Sequence, residues 1–138
     1  MSGSTSTSWI VLDASALIRA LVDTQSEARG WLDRGVTERA LTWPSHVYVE
    51  VAHALTRLAR AGVITPTRAV DGFAEVRRLP AKVSSPRRLE AAMAVAAERR
   101  LSVYDAAYVV LAEALDAPLL TADKRLAKAT EQAVLLPG

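Results

Sequence analysis

Four carboxylates in this chain stand where carboxylates need a reason. Asp13 directly follows the apolar run Trp9-Ile-Val-Leu12, and Asp123 follows Pro118-Leu-Leu-Thr121-Ala. Asp105 opens an apolar stretch within Leu101-Ser-Val-Tyr-Asp105-Ala-Ala-Tyr108, and Glu50 lies between Val49 and Val51. An ionised group beside a core is costly unless it is paired, hydrogen-bonded or bound to a cation. Taken singly, three of them have ordinary explanations. Asp13 and Asp123 suit helix N-caps, although Ser15 competes with Asp13 for that post, and Asp105 completes a Ser/Thr-x-x-acid capping box with Ser102. Glu50 is harder to dismiss, because it falls at the edge of the buried face of a predicted helix. Asp23, Asp33, Asp71 and Asp116 sit near predicted helix ends or in loops, where a solvated or capping role suffices.

Gathered in one place, four carboxylates repel and cannot all stay ionised at neutral pH without a cation. Oxygen ligands with no Cys select a hard divalent ion, Mg²⁺ or Mn²⁺, and such ions favour substrates that bring phosphate oxygens. The chemistry that follows is metal-assisted hydrolysis of a phosphodiester, in which the ion acidifies water, orients the phosphate and stabilises the leaving oxygen. His46, Glu50 and His53 share one side of a predicted helix, but the spacing is not His-Glu-x-x-His, which argues against zinc. No Gly-rich phosphate loop is present. Asp13-Ala-Ser15 lacks the second Asp of a haloacid-dehalogenase-like phosphatase. Tyr104 and Tyr108, one turn apart, read as core or pocket wall, with Tyr104 able to stack on a base.

The elements that must position these groups alternate. Short apolar strands are predicted at 9–12, 40–43, 81–84, 118–121 and 133–136. Between them lie helices at 16–22 (capped by Ser15), 26–34 (closed by Gly35) and 45–61 (capped by Ser45, stopped by Gly62). Further helices follow from Pro66 to about Leu79, from Pro86 to Arg100 with Leu89, Met93 and Ala96–Ala97 inward, at 106–115, and at 123–129. In the helix at 45–61, Val47, Val51, Leu55 and Leu58 mark the buried face. This alternation implies βαβ units, hence a three-layer α/β/α class with a parallel sheet covered on both faces. Ligands of such sheets bind beyond the carboxyl ends of the strands, where Asp13 and Asp123 fall.

Composition sets bounds. A chain of 138 residues, 51% apolar and 23% charged, is that of one soluble globular domain, expected over 9–138 after a flexible Ser-rich tail at 1–8. No run approaches the roughly 18 apolar residues of a membrane span, the N-terminus lacks the form of a signal peptide, and the absence of Cys fits a cytoplasmic setting. The net charge is only +2, yet Arg dominates the 17 cations and comes in pairs at Arg77-Arg78, Arg87-Arg88 and Arg99-Arg100. Such pairs suit phosphate and equally suit a solvated surface rich in ion pairs. Composition permits a nucleic-acid substrate without showing one.

Ile10-Val-Leu-Asp13-Ala-Ser15-Ala-Leu, Pro44 followed by Val49-Glu50-Val51, Leu101-Ser-Val-Tyr-Asp105-Ala-Ala-Tyr108 and Pro118-Leu-Leu-Thr121-Ala-Asp123-Lys-Arg-Leu126 together resemble the PIN-domain ribonucleases, in the form of the VapC toxins of toxin–antitoxin pairs. The resemblance runs from about Trp9 to Pro137. It implies a parallel sheet of about five strands and a Mg²⁺- or Mn²⁺-dependent endoribonuclease site, with Asp13, Glu50, Asp105 and Asp123 at the acid positions. Ser15 and Thr121 match hydroxyl positions near the metal or its water. Lys124 and Arg125, with the Arg pairs, are assigned to the RNA backbone. One departure is His53, where many members carry Asn three residues after the Glu. The resemblance also implies an RNA substrate, a homodimer, and a cognate VapB-like antitoxin that neutralises the toxin and carries operator-DNA binding. The competing reading is a non-catalytic PIN-like module that binds RNA or protein; a small phosphomonoesterase is a third.

Overall fold

The computed structural model describes residues 8–137. The tail expected at 1–8 therefore lies, Ser8 apart, outside the described residues. Strands β1 (Ile10–Leu12), β2 (Leu41–Pro44), β3 (Ala81–Ser84), β4 (Leu119–Thr121) and β5 (Ala133–Leu135) form one sheet in the order β3-β2-β1-β4-β5. Every pairing is parallel, with Ile10 beside Leu41 and Leu12 beside Leu120. The expected α/β class and five-stranded parallel sheet are thus observed. Helices α1 (Ala14–Val22), α2 (Glu27–Thr37), α3 (Val47–Arg60) and α4 (Pro66–Arg77) pack in one group, and α5 (Leu89–Arg99) and α6 (Val103–Leu115) in another. A short α7 (Lys124–Ala127) joins β4 to β5. Among the described residues no helix is long and apolar enough to cross a membrane.

Parallel strands buried on both faces read as continuous apolar runs, and β1, β2 and β4 are buried throughout. Trp43 and Tyr108 are the largest side chains of the core, packed with Leu12, Leu17, Leu119 and Leu120. On α3, Val47, Val51 and Leu55 are the buried stripe, as their spacing predicts, while Leu58, expected with them, is only half-buried. Because all five strands run the same way, their carboxyl ends share one edge. Residues immediately after β1 and β4, which are neighbours in the sheet, are therefore neighbours in space.

Four local expectations change. Helix α1 is capped by Asp13, not Ser15; the shorter-reaching hydroxyl lies inside the first turn and bonds to the cap instead. Helix α3 starts at Val47 with His46 as a cap that makes no side-chain bond, so Ser45 has no such role. Helix α2 runs past Gly35 to Thr37 and ends where Arg39 turns left-handed at φ 52°. Gly35 is small because of packing: a Cβ there would collide with the Leu41 side chain. The stretch after Pro86 is a 3-10 turn (Pro86–Arg88) before α5, and Leu89 and Met93 point outward, at 44% and 61% exposure. Ala92 is what α5 buries, because this Ala-rich helix lies against its neighbour through a small residue.

Candidate active site

The site is built at the hand-over from strand to helix. Asp13 leaves β1 with extended backbone, so its carboxylate reaches back over the first turn of α1 and accepts from the Ala16 N–H at 2.9 Å. The same oxygen, Oδ1, accepts from the Ser15 hydroxyl at 2.6 Å, and Oδ2 accepts from the Thr121 hydroxyl at 2.6 Å. Each hydroxyl is used twice. Ser15 Oγ accepts from the Ala122 N–H at 2.9 Å, and Thr121 Oγ1 from the Asp123 N–H at 3.0 Å. A continuous hydrogen-bond chain therefore locks the end of β1 to the end of β4.

Asp123 caps α7, accepting through Oδ1 from the N–H groups of Arg125 and Leu126 at 2.9 and 3.4 Å. Asp105 stands in the first turn of α6, whose start is fixed by Ser102 accepting the Asp105 N–H at 3.0 Å. Glu50 occupies the first turn of α3 and accepts from the Tyr108 hydroxyl at 2.6 Å. One turn before it, His46 holds its Nε2 3.0 Å from the Tyr104 carbonyl and 3.7 Å from Glu50 Oε1. The carbonyl can only accept, so Nε2 is the nitrogen that bears hydrogen.

Electrostatics record the proximity of these groups. Burial pushes the Asp13 carboxyl up to about 6, against the pull of its two hydroxyls and the Ala16 N–H, and the charge of Asp105 adds to the rise. Asp105 is also raised, first by burial and then by Asp123, with Arg125 opposing. Tyr108 is held far above the usual phenol range by burial and by Glu50, so it remains a neutral donor. The charges of Asp13 and Asp105 add to that rise.

The four acids are brought to one edge, but not onto one point. Among the described residues no three Asp, Glu or His side chains stand close enough to hold an ion between them. What the structure offers is a set of carboxylates near the strand ends, of which Asp13 and Asp105 are desolvated by burial and repelled by a neighbouring acid. That donor set has the chemistry of a hard divalent cation site. Arg125 already responds to the same field: its guanidinium stands 3.7 Å from Asp105, although it is 71% exposed and such a pair is weak. Lys124 is exposed beside it, and His53 is exposed on α3. Of the arginine pairs, Arg99 is committed to Glu113 at 2.7 Å and to the Ala129 carbonyl, a structural use.

The family model of the PIN domain matches residues 10–132. Ribonuclease VapC3 of Mycobacterium tuberculosis is 36% identical over 122 residues, covering 87% of this chain and 86% of that protein. The chain belongs to the VapC-type PIN-domain ribonucleases. Ribonuclease VapC1 of the same organism is 35% identical over 125 residues, covering 86% of this VapC-type chain and 89% of its relative. The crystal structure of PAE2754 from Pyrobaculum aerophilum superposes with a TM-score of 0.75 at 28% identity, covering 92% and 90% of the two chains.

Two residues of this VapC-type site have no strong signal in sequence. Tyr108 is set apart only by lying one turn after Asp105, and His46 only by lying one turn before Glu50. Both depend on α3 and α6 meeting at the sheet edge. Tyr108→Phe is expected to cost about 1 kcal/mol of stability, because Glu50 is 31% exposed and water replaces the lost donor. Its larger effect is expected on RNA cleavage, about 10-fold or more, the range for removing the partner that orients a site carboxylate. Thermal melts and cleavage assays on the same preparation separate the two.

Proposed function

We propose that this chain is a divalent-metal-dependent endoribonuclease, acting in the cytoplasm as the toxin of a type II toxin–antitoxin pair. The observation that carries the reading is Asp13: a buried carboxylate at the carboxyl end of the central strand, held by two hydroxyls and close enough to Asp105 to feel its charge. A purely structural cap has no use for that crowding. Asp13, Glu50, Asp105 and Asp123 would hold Mg²⁺ or Mn²⁺, directly or through water. When bound, such an ion neutralises phosphate charge and makes water more acidic.

The chain's own residues supply the geometry. Ser15 and Thr121 fix both oxygens of Asp13, and helix α6 carries Asp105 into place from its first turn. Tyr108 orients Glu50 and stays protonated while doing so. Arg125, 3.7 Å from Asp105, and Lys124 at the rim attract the phosphate backbone. A cognate VapB-like antitoxin fits the same electrostatics, since an acidic site draws a basic side chain as readily as a metal. Homodimerisation and operator binding through the antitoxin belong to this proposal on family grounds alone.

The test is cleavage of a mixed RNA pool by protein purified free of inhibitor. Endonucleolytic products are expected with Mg²⁺ or Mn²⁺ and none with excess chelator; restoring the ion restores cleavage. Cleavage that ignores chelator overturns the metal assignment. Intact RNA in every condition, with RNA still bound, points to the non-catalytic module instead.

A further inference from the structure

Helix α6 presents two faces at the sheet edge. One carries Asp105 to the acids. The other, through Val103, Ala107 and Leu111, forms a wall of a cleft of about 450 Å³ that Pro44 and Leu89 close from the other side. His46 and Tyr104 also line this cleft, and both adjoin the acids: His46 lies 3.7 Å from Glu50, and Tyr104 precedes Asp105. Tyr104 is 61% exposed yet not loose. Its ring meets His46 edge to face at 5.3 Å, and His46 meets the buried Tyr108 the same way at 5.1 Å.

Past Ser84, Ser85 and Arg88 the cleft passes into a second one of about 410 Å³, whose charged lining is Lys82, Arg87 and Arg88. No carboxylate lines it, and among the described residues none of these three cations is in a salt bridge. The surface thus runs from carboxylates, through an aromatic and apolar cleft, to cations.

Resting on the nuclease reading, we propose that the cleft is a base subsite: the nucleobase beside the scissile phosphate stacks on Tyr104, and the next phosphates along the strand lie on Arg88, Arg87 and Lys82. A single-stranded RNA alternates charged phosphates with flat, largely apolar bases. Bare phosphate is costly to place against Val103 and Leu89, whereas an unstacked base gains from an aromatic face. Arg87 and Arg88, outside any salt bridge among the described residues, and Lys82, which rests over the Trp9 ring at 5.7 Å, then hold the backbone at little desolvation cost. The exposed Leu89, Met93 and Val103 would also suit a protein partner. What favours RNA is the order of the lining, with an acid edge at one end and cations that no carboxylate faces at the other.

The test uses an RNA whose cleavage position has been mapped, and versions of it abasic on either side of the cut. For the wild type, one abasic substitution is expected to lower kcat/KM about 10-fold or more, the range of base–aromatic stacking. Tyr104→Ala should show that loss on intact RNA and no further loss on the abasic one, while Tyr104→Phe behaves as wild type. Arg88→Ala should reduce the salt dependence by about one phosphate contact. The proposal is overturned if Tyr104→Ala keeps wild-type kcat/KM, or if the abasic loss persists in full in that variant. A change in sedimentation mass of Tyr104→Ala with unaltered RNA turnover also overturns it, assigning the cleft to a protein contact. A wild-type protein that cleaves no RNA with Mg²⁺ or Mn²⁺ sinks the nuclease reading itself, a distinguishable outcome.

Discussion

Asp13→Asn is expected to lower RNA cleavage by more than about 100-fold, beyond what losing the partner of a ligand costs, while the cation-free protein melts no lower at pH 7 than the wild type. The second half follows from burial. The folded carboxyl titrates near 6 rather than 3.8, so the folded state holds its proton more tightly than the unfolded chain. The sign is then fixed: this group's stabilisation is complete below about pH 4 and is lost as pH rises through about 6. The loss amounts to about 3 kcal/mol. Asn carries no charge to desolvate and still caps a helix. Melts in chelator from pH 4 to 7 should therefore fall for the wild type and stay flatter for the variant. Added Mg²⁺ or Mn²⁺ should raise the wild-type melt at pH 7 and leave the variant unmoved. Parallel pH curves for the two proteins, or wild-type cleavage by Asp13→Asn, would remove Asp13 from the role given to it.

Thr121→Val is the second large effect, and it acts through both ends of one hydroxyl. Thr121 is fully buried; its Oγ1 donates to Asp13 and accepts from the Asp123 N–H. Valine fills the same space and leaves a buried carboxylate oxygen and a backbone N–H without this partner. A cost of about 3 kcal/mol is expected, read as a lower denaturant midpoint. The hydroxyl also holds the Asp13 pKa down, so the pH at which the variant loses stability should move upward. Thr121→Ser is the control. It restores the hydrogen bonds at the cost of one methyl, about 1 kcal/mol, and should recover most of the cleavage. Equal behaviour of the valine and serine variants would show that the hydroxyl is idle.

Much of this was legible in the residues themselves. Strands β1, β2 and β4 are apolar runs too short for helices, and the turn and capping signals around them leave a parallel sheet as the natural solution. That topology alone sends Asp13 and Asp123 to one edge. What sequence could not supply was the partner of each group. Whether Asp13 or Ser15 caps α1 turns on reach: a carboxylate before the helix bonds into the first turn, while a hydroxyl one residue inside serves the carboxylate. The bond from Tyr108 to Glu50 joins residues 58 apart and exists only because α3 and α6 converge. The inward face assigned to Leu89 and Met93 failed because α5 is mostly alanine and glutamate with little sidedness, and its contact is made by Ala92. The placement of four acids at one edge agrees with the spacing of the motifs; their arrangement around the site, rather than onto a single point, was beyond it.

The central position of β1 has a consequence for how the molecule comes into being. Its two neighbours in the sheet arrive at very different times: β2 begins about thirty residues later, whereas β4 is more than a hundred residues downstream. The bond from Thr121 to Asp13 closes a loop of 108 residues. Long-range parallel pairing of this kind is slow, because chain entropy must be lost before the contacts form. A nascent chain still holding β4 inside the ribosome carries Asp13, Ser15, Glu50 and Asp105 but cannot yet set them. Assembly of the acidic edge thus waits on the emergence of β4, long after β1 and β2 are available to pair.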